Sequence, residues 1–154
     1  MSELKARLQS DLTQAMRDKD EVRLGTVRMV LTAVTNSEVS GKTVRELTDA
    51  DVTYVLATEA KKRREAATSY DNAGATDRAD LERAELAVIT GYLPEQLTTD
   101  QISEIVNAAV AAVAAEGRSG PAAIGAVMKI VQPKVKGRAD GGFVAAQVKA
   151  ALSS

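Results

Sequence analysis

Apolar residues recur three or four positions apart through the first part of the chain. They form two stripes, Leu4, Leu8, Leu12, Ala15 and Met16, then Leu24, Val27, Val30, Leu31 and Val34. This period is that of an amphipathic helix. We therefore predict one helix over about residues 2–17 and, after the charged turn 18–20, a second helix that ends toward Gly41 and folds back on the first.

The third predicted helix begins with a cap and then loses its apolar face. Thr48 offers a hydroxyl to the first turn as the N-cap. From Lys61 to Tyr70 the residues are mostly charged or small, which indicates a solvated arm or a surface for a partner. Gly74 ends this helix, and Thr76 with Asp77 is expected to cap a fourth. The apolar residues of the fourth helix are Leu81, Ala84, Leu86 and Val88.

The strongest boundary signal in the chain is the sequence Tyr92-Leu93-Pro94. A proline disfavours the helical conformation in the residue before it, and it has no backbone N–H to donate. We place the domain break there, which gives an N-terminal helical domain over residues 1–93 and a C-terminal domain over residues 94–154.

Three more helices are predicted in the C-terminal domain. Thr98 and Gln101 form a capping box at the start of the first. The second has Pro121 in its first turn and is expected to end before Pro133, and Asp140 caps the third. No segment alternates apolar and polar residues at strand length. The predicted fold class is all-α, with about four antiparallel helices followed by a small three-helix bundle.

The chain contains neither cysteine nor histidine. A thiolate nucleophile, a Ser-His-Asp relay, an imidazole base and a Cys/His metal site are therefore excluded. We expect no catalytic residue, no metal and no cofactor, and a binding module rather than an enzyme that works on its own. The apolar runs are too short for a membrane span, and the N-terminus lacks the apolar centre of a signal peptide. We expect a cytoplasmic protein with no membrane partner.

Charge is distributed unevenly along a chain whose formal net charge is -1. Lys129, Lys134, Lys136 and Arg138 stand close together, with a proline and Gly137 between them, in the stretch MKIVQPKVKGRADG. We call residues 129–140 the basic segment. From the residues alone, two interpretations stay open. The cations complement a helix C-terminus in an ordinary solvated turn, or they bind phosphate together with the amides that begin the next helix.

Gly125 lies inside a predicted helix, where glycine costs about 1 kcal/mol relative to alanine. We favour a tight helix crossing within the bundle as the reason. The alternative is close approach of a nucleic-acid backbone or a partner helix along an edge made by Gly117, Gly120 and Gly125.

Two further charge clusters favour an ordinary surface. The cluster Lys61–Arg64 is interpreted as a solvated helix face, with Lys61 paired to Glu65, rather than as a phosphate-binding arm. Glu82 and Glu85 lie one turn apart and are interpreted as surface charges rather than as an active-site carboxylate pair.

Three longer segments of the sequence carry a family resemblance: RLGTVRMVLTAV (23–34), ERAELAVITGYLPEQL (82–97) and AIGAVMKIVQPKVKGRADGGFVAAQVKAAL (123–152). They resemble the GatB/YqeY family, and specifically its stand-alone YqeY-like members. The third segment also resembles the tail of the B subunit of the glutamine-dependent aspartyl/glutamyl-tRNA amidotransferase. In that subunit the tail is associated with tRNA, and a similar domain is appended to a glutaminyl-tRNA synthetase.

The resemblance implies a helical protein of two subdomains, and it makes phosphate binding the favoured interpretation of the basic segment. Lys129, Lys136 and Gly137 stand at motif positions of the resemblance. Together with the neighbouring cations Lys134 and Arg138, they are the expected nucleic-acid-binding residues. The resemblance also implies a structural role for six motif residues: Gly125, Met128, Asp140, Tyr92, Leu93 and Pro94.

The expected function is that of an accessory module for tRNA or aminoacyl-tRNA, acting by phosphate and shape contacts. The scarcity of aromatic residues, 3% of the chain, argues against base stacking as its main mode. The alternative is a protein-interaction module that docks on an amidotransferase or an aminoacyl-tRNA synthetase. A third possibility is a part of a glutamine-dependent carbon-nitrogen ligase, although the chain shows neither the ATP-using domain nor the amidase of such enzymes.

Overall fold

The structure is a computed structural model that describes residues 2–153. Within these residues the secondary structure is seven α-helices and one short 3-10 turn, without a β-strand, which confirms the all-α prediction. The helices are α1 Glu3–Asp18, α2 Glu21–Val39, α3 Asp49–Asn72, α4 Thr76–Thr90, α5 Thr99–Ala115, α6 Ile124–Val135 and α7 Gly141–Ser153, and the 3-10 turn is Pro121–Ala123. None of the helices in this range is long and apolar enough to cross a bilayer.

The chain folds as two compact units, of which one ends at Pro94 and the other begins at Glu95. The division lies one residue from the predicted boundary. The N-terminal unit contains α1 to α4, and the C-terminal unit contains α5 to α7 with the 3-10 turn.

Local capping fixes where α3 begins and ties it to α1. The Thr48 hydroxyl accepts from the Asp51 amide at 3.2 Å, and the Asp51 carboxylate accepts from the Thr48 amide at 3.0 Å. The predicted cap at Thr48 is confirmed. Asp49, in the same turn, accepts from the Ser2 hydroxyl and from the Leu4 amide at the start of α1. These two hydrogen bonds, the first of them the larger cause, lower the pKa of Asp49.

The start of α4 differs from the prediction. The N-cap position is Ala75, which makes no side-chain cap, and its carbonyl accepts from the Ala79 amide at 3.1 Å. Thr76 and Asp77 are therefore inside the helix. Three residues assigned to apolar faces are also exposed: Leu81 is 49% and Met16 is 53% exposed, and Ala84 is exposed as well.

Each unit has its own apolar core, built from residues three or four positions apart. The buried residues of the N-terminal core are Leu8, Val27, Val30, Val34, Leu47, Val52, Leu56, Ala60 and Ile89. Those of the C-terminal core are Ile102, Val106, Ala109, Val113, Ala123, Val127, Val131, Val135, Val144, Val148 and Leu152. The predicted capping box at Thr98 and Gln101 is present at the start of α5.

The predicted end of α6 before Pro133 is wrong, because α6 continues to Val135. Beyond the proline the helical hydrogen bonds resume, and the Lys136 amide donates to the Gln132 carbonyl at 3.0 Å. Val135 is 5% exposed and completes a buried stripe on α6. Pro133 itself is exposed, and it has no N–H to donate to the carbonyl four residues before it. Burial of Val135 therefore favours one more turn of helix.

Candidate nucleic-acid interface and a charged groove

The basic segment is part helix and part turn. Lys129 and Lys134 lie on α6, and Lys136 is the C-cap residue after it. Gly137 has φ +74°, a left-handed conformation that glycine adopts without strain. The side chains of Lys129, Lys134 and Lys136 are exposed, while Gly137 and Arg138 are half-buried.

The turn after α6 is held by the segment that precedes α5. The Leu97 amide donates to the Arg138 carbonyl at 2.8 Å, and the Gln96 amide side chain donates to the Gly137 carbonyl at 3.0 Å. In return, Nε of Arg138 donates to the Glu95 carbonyl at 3.1 Å. Arg138 therefore fixes the turn in addition to carrying charge, which distinguishes it from the three lysines.

None of the four cations of the basic segment belongs to an ion pair of residues 2–153. Lys136 directly follows α6, about 10 Å beyond Lys129 along the helix axis. The structure thus presents, on and directly after α6, four cations that have no ion-pair partner within the described residues.

Gly125 does not serve tight packing, so the favoured interpretation of this residue is wrong. A Cβ built at Gly125 would meet nothing within 4 Å, and the residue is exposed. Gly117 and Gly120 have φ +85° and +70°, so the backbone itself requires glycine there. At Gly125, neither close packing nor a positive φ requires glycine. It lies one turn before Lys129, where its missing side chain leaves open surface beside a lysine.

Met128 and Asp140 support the C-terminal unit. Met128 packs against its core and is half-buried. Asp140 stands immediately before α7, and its carbonyl accepts from the Val144 amide at 3.0 Å. Its position is that of the predicted cap.

The motif Tyr92-Leu93-Pro94 closes the N-terminal unit. Tyr92 and Leu93 pack against the N-terminal core. The Tyr92 hydroxyl donates to the Asp11 carboxylate at 2.6 Å, and the Arg7 guanidinium lies 4.7 Å from the centre of the ring. Burial, and then the bond to Asp11, raises the pKa of Tyr92 to about 12. The phenol therefore stays neutral at ordinary pH and acts as a donor.

The N-terminal unit contains a second feature, an open groove of about 630 Å³ between α2, α3 and α4. Met29 lines it and is 51% exposed. Its charged lining residues comprise three cations and three anions: Arg28, Lys62, Arg63, Glu59, Glu82 and Glu85. We call this the charged groove.

Arg63 is buried where it lines the charged groove, so the interpretation of Lys61–Arg64 as a solvated helix face is wrong for this residue. Its side chain is 5% exposed. It donates to the Glu59 carboxylate and, through Nε, to Glu85 at 3.3 Å. Nη2 lies 3.5 Å from Sδ of Met29. Glu85 is therefore the partner of a buried guanidinium rather than a surface charge.

The predicted pair of Lys61 and Glu65 is absent from the ion pairs of the described residues, and Lys62 instead contacts Glu59 at 3.3 Å. A sequence signal for the buried arginine existed. The buried positions of α3 continue at helical spacing past its apolar part, as Val52, Leu56, Glu59, Ala60, Arg63 and Ala67. The stripe is difficult to recognise in the sequence because residues 61–65, KKRRE, are all charged.

Replacing Arg63 with methionine should destabilise the N-terminal unit by about 3 kcal/mol, since it leaves the Glu59 and Glu85 carboxylates without their shared cation. Chemical denaturation measures the loss. Lys62→Met is the control, expected to cost less than about 1 kcal/mol because Lys62 is 63% exposed. Equal losses in both variants would contradict a structural role for Arg63.

No group of acidic side chains in residues 2–153 has the arrangement to hold a metal ion. The two candidate sites are the basic segment, whose cations suit an anionic ligand, and the charged groove, whose lining suits a partner surface with charges of both signs.

Comparison with known proteins places the chain in a family. A curated relative is 30% identical over 146 residues, which is 93% of this chain and 77% of the relative. It is the "Altered inheritance of mitochondria protein 41, mitochondrial" of Pyrenophora tritici-repentis (strain Pt-1C-BFP). The sequence model of the family described as "Yqey-like protein" matches residues 5–152, nearly the whole of both units. The chain belongs to the YqeY-like family.

Proposed function

We propose that this protein is an accessory module that binds tRNA or aminoacyl-tRNA through the basic segment, by contacts to phosphates and to the shape of the RNA. The observation that carries the proposal is a set of four cations, Lys129, Lys134, Lys136 and Arg138, that make no ion pair within residues 2–153. Three of these are exposed lysines. Cations of this kind gain free energy from phosphate by releasing counterions.

Gly125 adds support because its exposed position has no structural explanation. An exposed glycine within a helix costs about 1 kcal/mol relative to alanine. Beside Lys129, the absence of a side chain lets an extended backbone lie close against α6. A phosphate backbone has that shape, and lysines then position it without reading its sequence.

The direct test is binding of unfractionated tRNA by the purified protein across a salt series. Three to four phosphate contacts predict that log K falls against log salt with a slope of about -2 to -4. Binding should be similar for different tRNA species. Absence of binding at low salt would refute the proposal.

A second candidate is docking of a helix from an amidotransferase or an aminoacyl-tRNA synthetase in the charged groove. The observation that favours it is the half-exposed Met29 in a concave surface whose charges balance. A balanced surface offers RNA no net attraction, whereas it complements a protein helix with charges of both signs on its flanks.

Met29→Asp tests the second candidate. It should weaken binding to a purified amidotransferase or synthetase by about 2 kcal/mol or more if Met29 is at the centre of that interface. Tyr54→Asp is the matched control, since Tyr54 is 68% exposed on α3 but does not line the charged groove. Titration calorimetry compares the variants. Equal affinities for wild type and Met29→Asp would exclude the groove as the docking site.

A role inside a glutamine-dependent carbon-nitrogen ligase stays a prediction to which no residue is assigned. A cytoplasmic location likewise stays a prediction, since the printed name of the relative places that protein in mitochondria.

A further inference from the structure

Phe143 is the one phenylalanine of the chain, and it is not buried. It lies in the first turn of α7 directly after the basic segment, and it is 37% exposed. The next residue, Val144, is 1% exposed and belongs to the C-terminal core. Phe143 therefore stands at the edge of this core with about a third of its surface open to solvent.

The backbone around the ring is open. A Cβ on Gly141 would meet nothing within 4 Å, and a Cβ on Gly142 would meet only Oδ2 of Asp140, at 3.7 Å. The two residues before Phe143 thus contribute no side chain that could cover it. A partly exposed aromatic ring thus follows open backbone and stands seven and five positions after Lys136 and Arg138 in the sequence.

We propose that Phe143 stacks on an unpaired RNA base while the lysines of the basic segment hold the phosphates of the same strand. Every base has a π-face, so stacking of this kind tolerates any sequence, and it requires a base that is free of a duplex. The inference rests on the proposed function and narrows it. Phosphate contacts stay the main source of affinity, and the ligand class becomes RNA with a single-stranded end or loop.

The chain has no tryptophan, so Phe143→Trp creates a single fluorescent reporter at the site. The probes are a single-stranded adenylate oligonucleotide and a blunt-ended RNA duplex of equal total charge. The oligonucleotide should quench the Trp fluorescence, whereas the duplex should bind through phosphates without quenching. Tyr54→Trp is the control reporter, exposed in the N-terminal unit, and it should respond to neither probe.

Affinity gives a second readout. Phe143→Ala should weaken binding of the single strand by about 5- to 150-fold, the range of one lost base stack. It should leave duplex binding and the salt slope unchanged, because no charge is removed. Phe143→Leu keeps an apolar side chain and should behave like Phe143→Ala, which separates stacking from apolar contact.

The outcomes distinguish the two proposals. If single-stranded RNA binds with a steep salt slope, but Phe143→Trp is not quenched or Phe143→Ala keeps wild-type affinity, base stacking is refuted and phosphate binding stands. If neither RNA binds the wild-type protein at low salt, the proposed function fails and the stacking proposal fails with it. Thermal melting of each variant confirms that its fold is intact.

Discussion

Replacing Lys129, Lys134 and Lys136 together with alanine should weaken tRNA binding by about 100- to 1,000-fold at 0.1 M salt. Each phosphate contact contributes about 0.7 to 0.9 to the slope of log K against log salt, so three lost contacts flatten it by about 2 to 3. At 0.1 M salt, each unit of slope corresponds to about a tenfold change in affinity. Filter binding or gel shift over a salt series measures both quantities.

Arg138 is left in place in this experiment because it has a structural role. Its Nε donates to the Glu95 carbonyl, so Arg138→Ala would remove a hydrogen bond that holds the turn as well as a charge. The three lysines are exposed and make no ion pairs within the described part of the chain, so the fold should survive their replacement.

The matched control removes the same charge from the N-terminal unit. Arg17, Lys42 and Lys61 are also exposed and outside the ion pairs of residues 2–153. Their triple replacement with alanine should change affinity far less. Equal losses in the two triple variants would mean that net charge alone matters. An unchanged affinity and slope in the first variant would leave the basic segment as a solvated turn, and protein docking would become the leading function.

Val127→Asp should unfold the C-terminal unit. Val127 is 0% exposed in the middle of the stripe that α6 contributes to the core. A carboxylate there has no partner, so either its charge is buried or its pKa rises by several units, at a cost of about 5 kcal/mol. A small unit of marginal stability does not tolerate this loss. Circular dichroism should show lost helicity, and limited proteolysis should cut within residues 95–153.

Gln132→Asp is the control for this variant, because it introduces the same side chain on the exposed face of the same helix. It should change the melting temperature little, since surface substitutions rarely exceed about 0.5 kcal/mol. If Val127→Asp kept wild-type helicity and melting, the assignment of the buried face of α6 would be wrong.

Helix positions and caps were predictable because the signals that set them are local. One such signal is the stripe on α5, whose consecutive members lie about one turn apart: Ile102, Val106, Ala109 and Val113. Another is the capping box of Thr98 and Gln101, which spans a single turn. The same holds for the cap at Thr48. A periodic pattern or a cap can therefore be recognised without knowing what the helix packs against.

Local rules failed where a distant partner changed the balance of free energy. Pro133 should have ended α6, but burial of Val135 in a core shared with α5 and α7 favours a further turn. Arg63 stands in a run of charges typical of solvated helix, yet Glu85, 22 positions away on α4, supplies a carboxylate that makes its burial possible. Neither the burial of Val135 nor the pairing of Arg63 with Glu85 can be recognised from a few neighbouring residues.

The all-α class, the caps at Thr48 and Thr98 and the concentration of four cations in residues 129–138 follow from the sequence alone, because periodicity, capping and charge are properties of neighbouring residues. Only the tertiary structure decided which charges have partners. It pairs Arg63 with Glu85 in the charged groove, leaves Lys129, Lys134 and Lys136 outside the ion pairs of residues 2–153, and leaves Gly125 and Phe143 at least partly exposed. Burial and ion pairing depend on side chains that folding brings together from distant parts of the chain, so they cannot be worked out from local pattern alone.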